Sequence, residues 1–90
     1  MRLTFHNPFR EMAERETVIA LDGPVSLRAL IRLLAERYPG LQPYTAYETD
    51  EALGAHVTFL AEGGVLGLVD VVNDDDRIHM MLPARNSFAS

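Results

Sequence analysis

Ninety residues, 48% of them apolar, suffice for one globular domain with a single core and leave no room for a second. The formal net charge is −5 and every basic side chain is an arginine, which argues against a binder of phosphate backbones and therefore against nucleic acid as a partner. Without cysteine there is no disulfide framework, no thiolate zinc site and no thiol nucleophile. No run approaches the ~20 apolar residues of a membrane helix, and MRLTFHNPFR lacks the apolar stretch of a signal peptide, so a cytoplasmic protein with no membrane partner is expected.

The first element is legible in RLTFH, where Leu3 and Phe5 alternate with Arg2, Thr4 and His6 as in a half-buried strand. Asn7-Pro8 breaks it. FREMAER has helical propensity over barely two turns, which predicts a bend or one helical turn before TVIAL resumes a β-branched strand. Together these segments predict an N-terminal hairpin with an enlarged loop. DGPV is turn chemistry, and the Ser26 hydroxyl is placed to cap a helix by accepting one of its first free N–H groups. Leu27, Leu30, Ile31, Leu34 and Tyr38 then fall on one side at helical spacing, with Arg28, Arg32 and Glu36 opposite. Tyr38-Pro39-Gly40 ends that helix, because the residue before proline is driven out of the α region.

Residues 41–53 are turn-rich and predict a loop with a short helical turn near Asp50 and Leu53. HVTFL predicts a strand with Val57 and Phe59 inward, Glu62-Gly63-Gly64 a hairpin turn, and VLGLV a short strand weakened by glycine. Residues 73–76 predict a solvated turn. RIHMML closes the set as a strand with Ile78, Met80 and Leu82 inward. Strands on either side of one helix point to an α+β domain, a mixed sheet of four or five strands with the helix across one face.

The order β-β-α-β-β-β resembles the ubiquitin-like β-grasp fold, and local patterns are similar to the MoaD/ThiS family of small sulfur-carrier proteins. FREMAERET resembles that family's connection between its first two strands, SLRALIRLLAERYPGL its helix and YP-L exit, and VVNDDDRIHMMLPA its closing strand. The turn carries Asp75 where the family has glycine, and HVTF stands where it often reads AVN. The resemblance implies a partner protein: a larger enzyme subunit, or an E1-like adenylating enzyme that activates a C-terminal Gly-Gly. In such proteins the terminus becomes a thiocarboxylate for sulfur transfer of the molybdopterin or thiamine type. Here the corresponding positions hold Arg85, Asn86, Ser87, Phe88, Ala89 and Ser90, with no glycine pair, and Gly63-Gly64 lies in a hairpin with a strand still to follow. A bulky, glycine-free end suits a narrow activating channel poorly, so binding without chemistry is expected ahead of sulfur carriage.

The expected organisation is a β-grasp domain over residues 1–84 and a flexible tail over residues 85–90. Partner binding is assigned to the open sheet face, through Thr4, His6, Thr58, Leu60, His79 and Met81 with Arg77 beside them, and to Pro83, Arg85 and Phe88 of the tail. Phe88 is the candidate anchor, since a flexible segment gains most from one buried aromatic. The three histidines, His6, His56 and His79, fall at outward positions of strands that adjoin in such a sheet, where three imidazoles could form an open metal site. No carboxylate obviously joins them, so solvent-facing or interface histidines are expected, with no metal and no cofactor. Asp74-Asp75-Asp76 lacks the spacing of a calcium loop and fits a capped turn. Tyr44 and Tyr47 are expected to pin the long loop to the core. No nucleophile constellation or phosphate loop is recognisable, and the chain is not expected to be an enzyme on its own.

Overall fold

The structure is a computed structural model that describes residues 1–83. Its main sheet contains β1 (Arg2–Phe5), β2 (Glu16–Val18), β4 (Thr58–Ala61), β5 (Gly64–Val65) and β7 (Arg77–Met81), in the spatial order β2-β1-β7-β4-β5. β1 and β7 run parallel at the centre, and every other neighbour is antiparallel. β3 (Val25–Ser26) and β6 (Val71–Val72) form a separate two-stranded ladder. α1 (Phe9–Met12) is the single turn inside the first hairpin, α2 (Leu27–Arg37) is the main helix, and α3 (Asp50–Gly54) follows a 3₁₀ segment at Pro39–Ala46.

The period-two pattern of the strands decides which face is dry. Leu3, Phe5, Phe59, Ile78 and Met80 all point to one side and are essentially inaccessible to water. Leu27, Leu30, Ile31 and Leu34 of α2 cover that side, and Phe9, Leu41, Leu53 and Leu68 close its rim. The residues between them, Arg2, Thr4, His79 and Leu60, therefore occupy the other face.

Helix α2 begins without orphaned donors. The Leu27 and Arg28 amides donate to the Asp70 and Leu68 carbonyls at 2.9 and 3.1 Å, and the Ala29 amide donates to Ser26 Oγ at 3.1 Å. The β3–β6 ladder is thus the clamp that seats the helix, a role the sequence did not reveal. At α3 the Thr49 hydroxyl caps the helix through the Ala52 amide, and Asp50 Oδ1 accepts the Leu68 amide at 2.7 Å. Gly67 passes so close that a Cβ there would lie 2.6 Å from Asp50 Oδ2, so only glycine fits without displacing the carboxylate.

Four expectations need correction. Leu82, expected inward, is 53% exposed, because Met81 is the last residue of β7 with a strand partner and the chain leaves the sheet beyond it. VLGLV is a strand only at its start: β5 stops at Val65, the Leu66 amide makes a last bond to the Phe59 carbonyl at 2.9 Å, and residues 67–70 turn away to meet α3 and the start of α2. Residues 41–53 are more regular than a loop, with the 3₁₀ segment packing Leu41 into the core. His56 precedes β4 rather than lying in it. FREMAER, expected to form a bend or one helical turn, supplies the turn α1, and its Phe9 is fully buried in edge-on contact with Tyr44.

Candidate functional site

The outer sheet face is assembled by strand register. Glu16, Thr4, His79, Leu60 and Val65 stand opposite one another across all five strands and form one continuous row. Above it, Met81 faces Thr58, and His6 follows Phe5 at the end of β1. Below it, Arg2 lies between Val18 and Arg77. Thr4, His6, Thr58, Leu60, His79 and Met81, the residues assigned from sequence to one surface, are therefore brought together, each half-buried. Pro83 continues from β7 just beyond them. Arg85 and Phe88 lie outside the described residues.

Two valines join this surface that alternation in short segments did not mark. Val65 at one edge is 68% exposed and Val18 at the other 62%. Both lie on the two shortest strands of the sheet, where too few residues exist to show a period, and only pairing reveals their side. Large apolar groups at the margins with imidazoles and hydroxyls between them make a surface fit for protein contact. Arg2 Nε approaches Glu16 Oε2 at 3.7 Å, an exposed pair that contributes little to stability but fixes charge at the rim.

His6 and His79 are in contact. Nε2 of His6 and Nδ1 of His79 are 3.0 Å apart and the rings are tilted at 34° with centroids 5.2 Å apart. Register explains the meeting, since His79 is level with Thr4 and His6 reaches back diagonally from two residues on. His56 is elsewhere: it stacks on Tyr47 with centroids 4.7 Å apart. Among the described residues no group of three or more histidine, cysteine, aspartate or glutamate side chains is placed to hold a metal, so the three-histidine site considered from sequence does not form.

Beside His79 the face deepens into an open hollow of about 640 Å³ lined by Leu60, Ala61, Glu62, Asp75, Asp76, Arg77 and His79. The antiparallel pairing of β4 with β7 brings the residue 62 turn and the acidic turn to the same end, a juxtaposition invisible in sequence. Two of the three consecutive aspartates hold that end together. Asp76 Oδ2 accepts the Asn73 amide at 2.8 Å, and Asp74 Oδ1 accepts the Leu21 amide at 2.8 Å. The Leu21 hydrogen bond, aided by the Met1 amino group, lowers the Asp74 pKa from its ordinary value. A capped turn was expected here, and these hydrogen bonds make one.

On the opposite side, Tyr44 packs against the core beside Tyr47, and burial followed by the neighbouring Tyr47 raises its pKa. Tyr38 closes α2 edge-on to Phe5, its hydroxyl donating to Glu14; burial and then that hydrogen bond raise its pKa. These tyrosines are structural pins, as anticipated for Tyr44 and Tyr47.

No protein-family profile and no curated protein matches the sequence. Among solved structures, SAMP1 from Haloferax volcanii matches with a TM-score of 0.74 at 20% identity, over 96% of this chain and 97% of that one. A putative molybdopterin converting factor, subunit 1, from Pyrococcus furiosus matches with a TM-score of 0.68 at 18% identity, over 92% of this chain and 95% of that one. Both likenesses span the described domain and establish its architecture as the ubiquitin-like β-grasp fold, as expected from the order of elements. No helix among the described residues is long and apolar enough to cross a membrane.

Proposed function

We propose that this ubiquitin-like β-grasp domain is a protein-docking module, a non-catalytic accessory subunit of a larger enzyme, and that it engages its partner through the outer sheet face and the segment after β7. The observation that carries this is the asymmetry of the sheet: all its helices pack on one side, and the other presents Leu60, Val65 and Met81 around the His6–His79 pair without a covering element among the described residues. The complementary surface is apolar opposite Leu60, Val65 and Met81, with hydrogen-bond acceptors and carboxylates opposite Arg2 and Arg77. The likeness to a putative subunit of a molybdopterin converting factor supports a role within an assembly. Arg85 and Phe88 follow closely on Pro83 in sequence and extend the same contact, with Phe88 as its anchor.

Titration of the purified partner subunit against variants tests the surface. Leu60→Glu and Met81→Glu each lower affinity by about tenfold or more, as expected for groups at the centre of an interface, while Leu33→Glu on the helix side leaves it unchanged. Equal losses from all three variants would remove the sheet face from the interaction. Ending the chain after Pro83 examines the tail separately: undiminished partner recovery limits docking to the sheet.

A second role is favoured by the molybdopterin converting factor likeness, namely a sulfur carrier whose C-terminus an E1-like enzyme adenylates and converts to a thiocarboxylate. Intact mass after incubation with such an enzyme, ATP and a sulfur donor registers the replacement of oxygen by sulfur. An unchanged mass, with a known carrier converted in parallel, ends that alternative.

A further inference from the structure

The geometry points to a metal site of a different composition from the three-histidine one weighed and set aside from the sequence: His6 and His79 form a two-imidazole chelate for a late first-row divalent ion, Cu²⁺ foremost, on the outer sheet face. Two features carry this. Nε2 of His6 and Nδ1 of His79 already face one another at 3.0 Å. The rings also stand on β1 and β7, the two central strands, where His79 is level with Thr4 and the His6 amide donates to the Met80 carbonyl at 2.9 Å, so the backbone holds both ligands in place.

The separation is compatible with a shared ion. With metal–nitrogen bonds of about 2.0–2.1 Å, two imidazole nitrogens are about 2.9 Å apart at a right angle and about 3.3 Å apart at the tetrahedral angle. The observed 3.0 Å, set by the hydrogen bond between the rings, falls inside that range, so a small rotation of the two rings lets both nitrogens converge on one ion. The general order of divalent affinities places Cu²⁺ first. Without an ion, one of the two facing nitrogens carries the proton of their mutual hydrogen bond. On coordination that proton passes through solvent to the other nitrogen of the same ring, so both imidazoles remain neutral and both lone pairs reach the ion. No third histidine, cysteine, aspartate or glutamate joins among the described residues, which leaves the remaining coordination positions to water or to a donor from outside the chain.

His56 is the internal control, an exposed imidazole stacked on Tyr47 and apart from the pair. The experiment uses the full chain alone, so its result is independent of whether the face docks a partner. Substoichiometric CuSO₄ at neutral pH broadens the NMR signals of His6, His79, Leu60 and Met81 and spares those of His56, with one ion bound per chain at saturation. His6→Asn and His79→Asn each weaken binding by about tenfold or more, because a linked pair of ligands becomes a single one, and His56→Gln stays within about twofold of the parent. Zn²⁺ binds more weakly than Cu²⁺. Either single asparagine variant binding within about twofold of the parent, or His56 broadening in parallel with the pair, overturns the site. Should a variant shift the thermal midpoint, the broadening map of the parent chain decides.

Discussion

Along β7 the inner residues Ile78 and Met80 are each 1% exposed, whereas Arg77, His79 and Met81 between them keep contact with water. The same five-residue strand therefore serves two purposes. Its inner half interdigitates with Leu30, Ile31 and Leu34, where a lost methylene leaves a void and the cost is stability. Its outer half meets solvent, where shape and charge are available for recognition and substitutions cost little in folding. One strand can be strict on one side and free on the other because successive side chains point in opposite directions.

The sharpest way to break this comparison is to truncate two adjacent residues of β4. Phe59→Ala removes a core ring and is expected to cost about 3–5 kcal/mol in denaturant unfolding, while Leu60→Ala beside it costs less than about 1 kcal/mol. Similar losses at both positions would mean that the outer face is not a free surface. Next in size is Gly67→Ala, which places a methyl group against the Asp50 carboxylate and strips the Leu68 amide of its acceptor, for a loss of about 1–2 kcal/mol. Restoring space with the double variant Gly67→Ala, Asp50→Ala recovers the steric part but not the hydrogen bond. Ser26→Ala removes the α2 cap at a cost of about 1 kcal/mol, measurable as a lower midpoint without change in the strand signals.

The smallest effect is electrostatic and depends on pH. The Leu21 amide and then the Met1 amino group lower the folded-state pKa of Asp74, so its contribution is fully present above the unfolded carboxylate value and is lost as pH falls through the lower folded value. Asp74→Asn should therefore reduce stability slightly at neutral pH and flatten the acid limb of the unfolding curve below about pH 4. A variant with an unchanged acid limb would show that the turn is held by Asp76 and Asn73 alone.

Much of the inner face is legible in the sequence. Leu3 and Phe5, Val57 and Phe59, and Ile78 and Met80 alternate cleanly, and the α2 stripe repeats at helical spacing behind a serine cap that the structure bears out. The misses share a cause. Leu82 continues the alternation of β7, but burial ended where pairing ended, and periodicity carries no information about where a neighbour stops. The Leu66 amide still donates to the Phe59 carbonyl of β4, but residues 67–70, despite their valine and leucine, bond to Asp50, to α2 and to one another instead of to a ladder. Phe9 sits in a segment too short for any period, so its place in the core depends on Tyr44 and the sheet around it.

The candidate site divides in the same way. Alternation sufficed to place Thr4, His79 and Leu60 away from the core. It could not say that they lie in one row ending at Val65, that His56 would leave the group to stack on Tyr47, or that the acidic turn would border His79.

The amino-acid order by itself determined which side of each long strand is apolar, where the main helix starts and stops, and hence the α+β plan, because those properties arise from neighbours a few positions apart along the chain. Tertiary structure alone decided which outward residues touch. His6 and His79 are 73 positions apart and meet through the parallel register of β1 and β7, and register is selected by the packing of both strands against one helix.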